Sequence, residues 1–230
     1  QKRKEMVMKI FIVYYHPEPQ SFNGAMLATA VRTLQECAYE VKVSNLHEMD
    51  FNPTSGRHNF TGVKDATYFK QQIEEIHATE TGGFAEDILT EIRKLEWCDL
   101  MIWQFPLWWF GLPAPLKGWV DRVFAMGRTY GNGRFYNNGV FNGKSAMLSI
   151  TTGGPQEAYC SGGFNGDING ILRPLHRGML EFVGFQVLEP NIAWGPAHLS
   201  AAERAKILDR YSLRLEKIAS ESPISVGTYS

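Results

Sequence analysis

The chain has 230 residues, 44% hydrophobic, 13% aromatic and 20% charged, which suits one substantial core and excludes a disordered chain or a collagen-like repeat. Lys plus Arg number 23 against 24 Asp plus Glu, a formal net charge of −1, so global charge gives no electrostatic case for nucleic acid or an anionic membrane as partner. Cys37, Cys98 and Cys160 are scattered without a C-x-x-C pair, which excludes a disulfide scaffold and argues against a structural zinc.

Residues 1–7 read as a short basic tail, because Lys9 interrupts the apolar run and no small-residue cleavage site follows it. The run 10–15 is continuously apolar, the pattern of a strand buried on both faces. Phe22, Met26, Leu27, Ala30, Val31, Leu34 and Cys37 then fall on one helical face. Val41 and Val43 alternate with Lys42 and Ser44, as in a strand nearer the sheet edge. From 45 to 83 the chain reads as an irregular, polar covering segment. Phe84, Ile88, Leu89, Ile92 and Leu95 make a second helix face, 100–105 a third strand, and 113–126 a third helix. A fourth strand at 146–150, a helix over 168–182 interrupted or started by Pro174, a fifth strand at 186–194 and a helix over 201–218 complete the pattern. Residues 221–230 read as a loose tail. No apolar stretch approaches the roughly 20 residues of a membrane span, and the expectation is a soluble, cytoplasmic protein.

Strands alternating with helices predict an α/β, flavodoxin-like three-layer sandwich with a five-stranded parallel sheet, in one domain spanning 1–230. Ligands of such sheets bind beyond the carboxyl ends of the strands, which selects the loops after strands one, three and four. The first runs from His16 to Gly24, where Ser21 or Asn23 can cap a helix whose free N–H groups suit a phosphate; the same residues also make an ordinary capped helix. Neither a P-loop nor a G-x-G-x-x-G is present there. The second carries Trp108, Trp109 and Phe110 between Pro106 and Pro113, a stacking wall for a planar ring or else core and subunit-contact residues. In the third, Thr151-Thr152-Gly153-Gly154 lets backbone N–H groups approach an anionic edge, with the Tyr159 phenol nearby, although Gly-Gly is also a common tight turn. Together the three loops describe a flavin site.

The His16-x-x-x-x-Ser-Phe-Asn loop resembles the NAD(P)H:quinone oxidoreductases of the DT-diaphorase type. So do the Gln104-Phe-Pro-Leu-x-Trp-Phe-x-x-Pro-Ala-x-Leu-Lys-Gly-Trp119 run and the Ser149-Ile-Thr-Thr-Gly-Gly154 segment. The likeness extends through Phe51-Asn-Pro, Asn169-x-Ile-Leu-x-Pro174 and Gly184-Phe-Gln-Val-Leu-Glu-Pro190, nearly the whole chain, and lacks only the family's longer C-terminal extension. The resemblance implies FAD as cofactor and a two-electron, ping-pong hydride transfer from NAD(P)H to quinones, in a homodimer with shared sites.

By the same resemblance His16, Ser21, Phe22 and Asn23 hold the pyrophosphate and ribityl region, and Arg204 the adenylate. Pro106, Leu107, Trp108, Trp109 and Phe110 line the flavin ring. Thr151, Thr152, Gly153, Gly154 and Tyr159 meet its N1/O2 edge, which makes Tyr159, Asn165, Gly153 and Gly154 the catalytic candidates. Trp109, Phe110, Tyr130, Asn132, Asn165, Phe182 and His198 wall the substrate space. Asn165 stands where several members carry a histidine that relays a proton with the tyrosine, and an amide does not change charge near neutral pH. The dihydronicotinamide riboside branch shares that asparagine. At that branch's metal positions stand residues including Arg177, Glu181 and Val226, so no metal is expected. Asn132 replaces a second family tyrosine, and Lys70 a glutamine or asparagine near the pyrophosphate.

Two other classes fit parts of the pattern. One is a regulatory flavoprotein of a potassium-efflux system, which a partner-facing patch or low turnover would favour. The other is a one-electron carrier, opposed by the missing Ser/Thr/Gly-rich phosphate loop and the near-zero charge.

Overall fold

The computed structural model describes residues 7–227. The predicted basic tail at 1–7 lies, apart from Val7, outside the described residues, as does the end of the C-terminal tail. In chain order come β1 (Lys9–Tyr14), α1 (Phe22–Glu36), β2 (Glu40–Asn45), α2 (Gln71–Thr81), α3 (Glu86–Trp97) and β3 (Leu100–Pro106). They are followed by α4 (Ala114–Val123), β4 (Ser145–Thr151), α5 (Ile168–Leu175), β5 (Gln186–Val187), β6 (Asn191–Ala193) and α6 (Ala201–Leu215).

The sheet is parallel throughout, in the order β2-β1-β3-β4-β5, with β6 also paired to β4. Ile12 lies between Val43 of β2 and Ile102 of β3. Successive β1 side chains enter opposite cores because strand side chains alternate. Phe11 and Val13 join Ile88, Ile92, Trp103 and Trp119 on one face; Ile10 and Ile12 join Met26, Leu34, Tyr211 and Leu215 on the other. Each fully buried aliphatic side chain of this kind contributes about 1.5–3 kcal/mol. The order reverses between β1 and β3, so their carboxyl ends open a crevice toward α1.

Three expectations need correction. The 45–83 segment contains the helix α2, whose buried positions are Glu74, Glu75 and Ala78 and therefore show no apolar stripe. Glu74 accepts the Lys64 and Asp65 N–H groups at 2.7 and 2.9 Å, folding the segment back on itself. Buried Arg122 of α4 pins it from below, donating to Asn59 Oδ1 at 2.7 Å, the Asn52 carbonyl at 2.9 Å and Asp87 Oδ2 at 2.9 Å. Gly118 permits the close approach: a Cβ there would stand 2.3 Å from Pro53 Cα.

The predicted fifth strand is two short strands in one lane, since Pro190 falls between β5 and β6 and has no N–H for the ladder. Residues 221–226 are not loose. Glu221 pairs with Arg214 at 2.8 Å, the Ile224 N–H donates to the Val187 carbonyl at 2.8 Å, and Ile224 and Val226 pack on the core. Pro174 sits inside α5, and the helix continues beyond Leu175 as a π segment, His176–Glu181. A missing N–H and a clashing ring are ordinary causes of such a change in winding.

Candidate functional site

The loop after β1 is stiffened by Pro17 and Pro19, and the Gln20 N–H reaches Glu18 Oε1 at 2.8 Å. Ser21 caps α1 by accepting the Gly24 N–H at 3.1 Å. Gly24 is required there, because a Cβ would lie 2.2 Å from the Pro19 carbonyl oxygen. Among the described residues the Phe22 and Asn23 N–H groups have no acceptor, so the positive end of α1 is open. His16 turns Nδ1 toward the Glu18 backbone, taking its N–H at 3.0 Å, and leaves Nε2 free. Burial in this loop holds the imidazole below its usual pKa, with the Glu18 backbone and charge opposing.

The loop after β3 bends through two consecutive left-handed residues, Trp109 at φ 51° and Phe110 at φ 58°. Bulky side chains rarely adopt that conformation, which costs about 1–2 kcal/mol per residue. The bend leaves the Trp109 side chain 99% exposed, and neither N–H of the pair finds an acceptor among the described residues. Trp108 packs edge-on against Tyr15 and His16, with ring centroids 6.2 and 6.0 Å away.

The turn after β4 is anchored rather than free. The Thr152 N–H donates to the Ala193 carbonyl at 3.1 Å, and the Thr152 hydroxyl donates to the Gly154 carbonyl and accepts the Gly195 N–H. Gly153 faces open space, and the Tyr159 ring packs on Trp194 at 5.5 Å. A buried chain of side chains ties the loops together: Gln104 Nε2 donates to Asn23 Oδ1, and Asn23 Nδ2 to the Thr151 hydroxyl, both at 2.9 Å.

The three loops surround one cleft of about 910 Å³, large for a ligand site. His16, Ser21, Phe22, Asn23, Pro106, Leu107, Trp108, Trp109, Thr151, Thr152, Gly153 and Arg204 all line it. Phe110, Gly154 and Tyr159 adjoin these residues in sequence or packing without lining the cleft itself. Arg204 donates to the Leu199 carbonyl and edges the cleft from α6. His198 is exposed on the turn whose Pro196 and Ala197 line the cleft. Asn165 is half-buried, its N–H donating to the Ala158 carbonyl at 2.7 Å.

The remaining substrate candidates stand elsewhere. Tyr130 and Phe182 pack together at 5.7 Å on a separate groove of about 360 Å³, and exposed Asn132 follows Tyr130 at φ 53°. Lys70, also exposed, precedes α2. Arg177 and Glu181 pair at 3.0 Å, and among the described residues no group of His, Cys, Asp and Glu is placed to hold a metal ion. Sequence reasoning missed the α6 wall of the cleft, Ala201, Ala205 and Leu208 beside Arg204. Small residues at helical spacing on the side of an arginine were its available signal.

The flavodoxin-like fold family matches residues 8–218. The chain is 43% identical over 219 residues to NAD(P)H dehydrogenase [quinone] 1 of Rattus norvegicus, covering 95% of this chain and 80% of that one. It is also 43% identical over 217 residues to ribosyldihydronicotinamide dehydrogenase [quinone] of the same organism, covering 94% of each. A crystal structure of a Klebsiella pneumoniae protein assigned as a quinone reductase superposes with a TM-score of 0.91 at 38% identity, covering 94% of this chain and 87% of that one. Fold and sequence agree in placing the chain in the NAD(P)H dehydrogenase (quinone) family, oxidoreductase enzymes built on the flavodoxin-like sheet.

Proposed function

We propose that the chain is a FAD-dependent NAD(P)H:quinone oxidoreductase with a two-electron ping-pong cycle, working in the cytoplasm as a homodimer with shared sites. The observation that carries this reading is that residues of all three loops, with the open N-terminus of α1 and the exposed Trp109, line one cleft. A flavin bound there supplies the chemistry that takes hydride from a reduced nicotinamide and passes it to a quinone.

The residues present fit that group. The α1 N-terminus, His16 and Arg204 form the polar end suited to a pyrophosphate. Beyond them Ala25, Ala201, Ala205 and Leu208 offer an apolar wall for an adenine, which favours FAD over FMN. Trp109 offers its exposed ring to a planar system, and the unpaired Trp109 and Phe110 N–H groups in the same bend are available to its polar edge. Gly153, which lines the cleft with open space around it, leaves room for the opposite edge, where negative charge collects on reduction, and Gly154 and the Tyr159 phenol stand beside it. Asn165 orients substrate by hydrogen bonding and carries no proton between states.

The homodimer reading rests on what the single chain leaves bare. Trp109 is 99% and Phe164 97% exposed, while Tyr130 and Phe182 line a groove apart from the cleft. A partner that faces its own Tyr130, Asn132 and Phe182 onto this cleft would complete the substrate space and exclude water. The cytoplasmic assignment draws on the three free cysteines and on no described helix being long and apolar enough to cross a membrane. The relatives compared above are named as dehydrogenases, and no observation favours a regulatory flavoprotein.

An anaerobic spectrum of the purified protein, titrated with NADPH and then with a benzoquinone, tests the reading. Yellow protein that bleaches directly and recolours on quinone is the expected result. Absence of flavin, or flavin that nicotinamides do not reduce, would overturn it.

A further inference from the structure

Glu75 is a buried carboxyl that the proposed reaction does not use. It lies on α2, only 2% exposed, in the floor of the groove that Tyr130 and Phe182 line. Its Oε2 accepts the Met126 N–H at 2.7 Å, and its Oε1 accepts from Gln71 Nε2 at 2.8 Å. Gln71 is itself fixed, donating to the Asp121 carbonyl at 3.0 Å.

Met126 opens the turn that carries Tyr130 and Asn132. It bridges to Tyr130, and the Gly127 N–H donates to the Tyr130 carbonyl at 2.8 Å. Gln72, three residues before Glu75, reaches the Tyr130 hydroxyl with Nε2 at 3.3 Å. So α2 holds this turn twice, at its backbone root and at the tip of its aromatic side chain.

A carboxylate accepts from both N–H donors at once. In the protonated acid one oxygen becomes a hydroxyl, so one of the two donors faces a poorer acceptor. We infer that Glu75 is a positioning residue for the substrate wall, its ionised carboxylate fixing the 126–132 turn and so setting where Tyr130 and Asn132 meet the quinone. The inference rests on the reading of those two residues as substrate wall.

Burial pushes the Glu75 carboxyl up to about 7, against the lowering effect of Met126 and Gln71, so the latch changes state near neutral pH. The other ionisable groups on the groove are Tyr130, on the turn, and Asp121, which α4 pairs with Lys117 at 2.7 Å. The π segment contributes Gly178 and Met179 to the groove, and its Arg177 and Glu181 are paired with each other.

Steady-state benzoquinone reduction by the holoenzyme, wild type and Glu75→Gln, between about pH 6 and 8 tests this, with KM and kcat separated. In the wild type KM should rise about fivefold as pH falls, the scale of one hydrogen bond, while kcat barely moves. Glu75→Gln should give a KM without that slope. A flat wild-type KM, or a slope that survives in Glu75→Gln, overturns the inference. A second readout needs no turnover: the ring signal of ¹³C-labelled Tyr130, assigned with Tyr130→Phe, should titrate near pH 7 and stay still in Glu75→Gln. Protein that reduces no quinone yet shows the titrating signal sinks the reaction proposed above and leaves Glu75's hold on the turn standing. Protein that turns over with a motionless signal overturns the Glu75 inference alone.

Discussion

Asn23 donates from Nδ2 to the Thr151 hydroxyl at 2.9 Å, joining residues 128 positions apart in the chain. The bond couples the start of α1 to the end of β4, two walls of one cleft, and Gln104 completes it by donating to Asn23 Oδ1. Asn23→Ala removes the acceptor for Gln104 and the donor for Thr151 in a buried place. It should cost about 1–3 kcal/mol and loosen flavin, as read by denaturant unfolding and by cofactor retention on a desalting column. A stable variant that keeps its flavin would mean the coupling is dispensable.

Trp109 combines an unfavourable backbone with a fully solvated side chain, a pairing that only a ligand or partner rewards. Trp109→Gly should therefore raise the stability of the flavin-free protein by about 1 kcal/mol while weakening flavin and quinone binding. Denaturation of the stripped protein and a flavin titration separate the two effects. A drop in stability would show that the left-handed backbone at Trp109 stores no strain for glycine to relieve.

Tyr159→Phe keeps the ring against Trp194 and removes only the hydroxyl. Flavin content should be unchanged, and stopped-flow reduction by NADPH should slow by about 10²-fold, the usual penalty for losing one donor at a developing negative charge. Loss of flavin instead would make Tyr159 structural.

Glu75 also sets a sign for stability against pH. Its folded pKa is raised from 4.5 to about 7, so folding favours the acid form. The wild type accordingly loses stability as pH rises from about 4.5 to 7, by up to about 3 kcal/mol, and no further above that window. Glu75→Gln stays neutral, so its unfolding free energy should match the wild type near pH 4 and exceed it at pH 8. Parallel curves at all pH values would rule this out.

Much of the frame was readable because its signals are apolar and local. The continuous run in β1, the helical stripe from Phe22 to Leu34 and the Trp108-Trp109-Phe110 loop each carry their own pattern. The helix α2 was not readable, because its inward face presents Glu74 and Glu75 to backbone N–H groups outside the helix, from Lys64 and Asp65 to Met126. No hydrophobic period marks a face that is satisfied by hydrogen bonds. The grouping of His16, Thr151 and Arg204 was available from the resemblance, while the separation of Tyr130 and Phe182 from that cleft follows from long-range packing that no local pattern encodes.

The short lane of β5 and β6 has a consequence for solubility. An uncovered strand edge invites pairing with another molecule's edge. Here that edge is broken at Pro190 and overlaid by the 221–226 segment through the Ile224 bond to Val187. The segment thus acts as a guard against sheet-to-sheet growth, and a chain cut after Ser220 would carry an open, apolar margin prone to self-association.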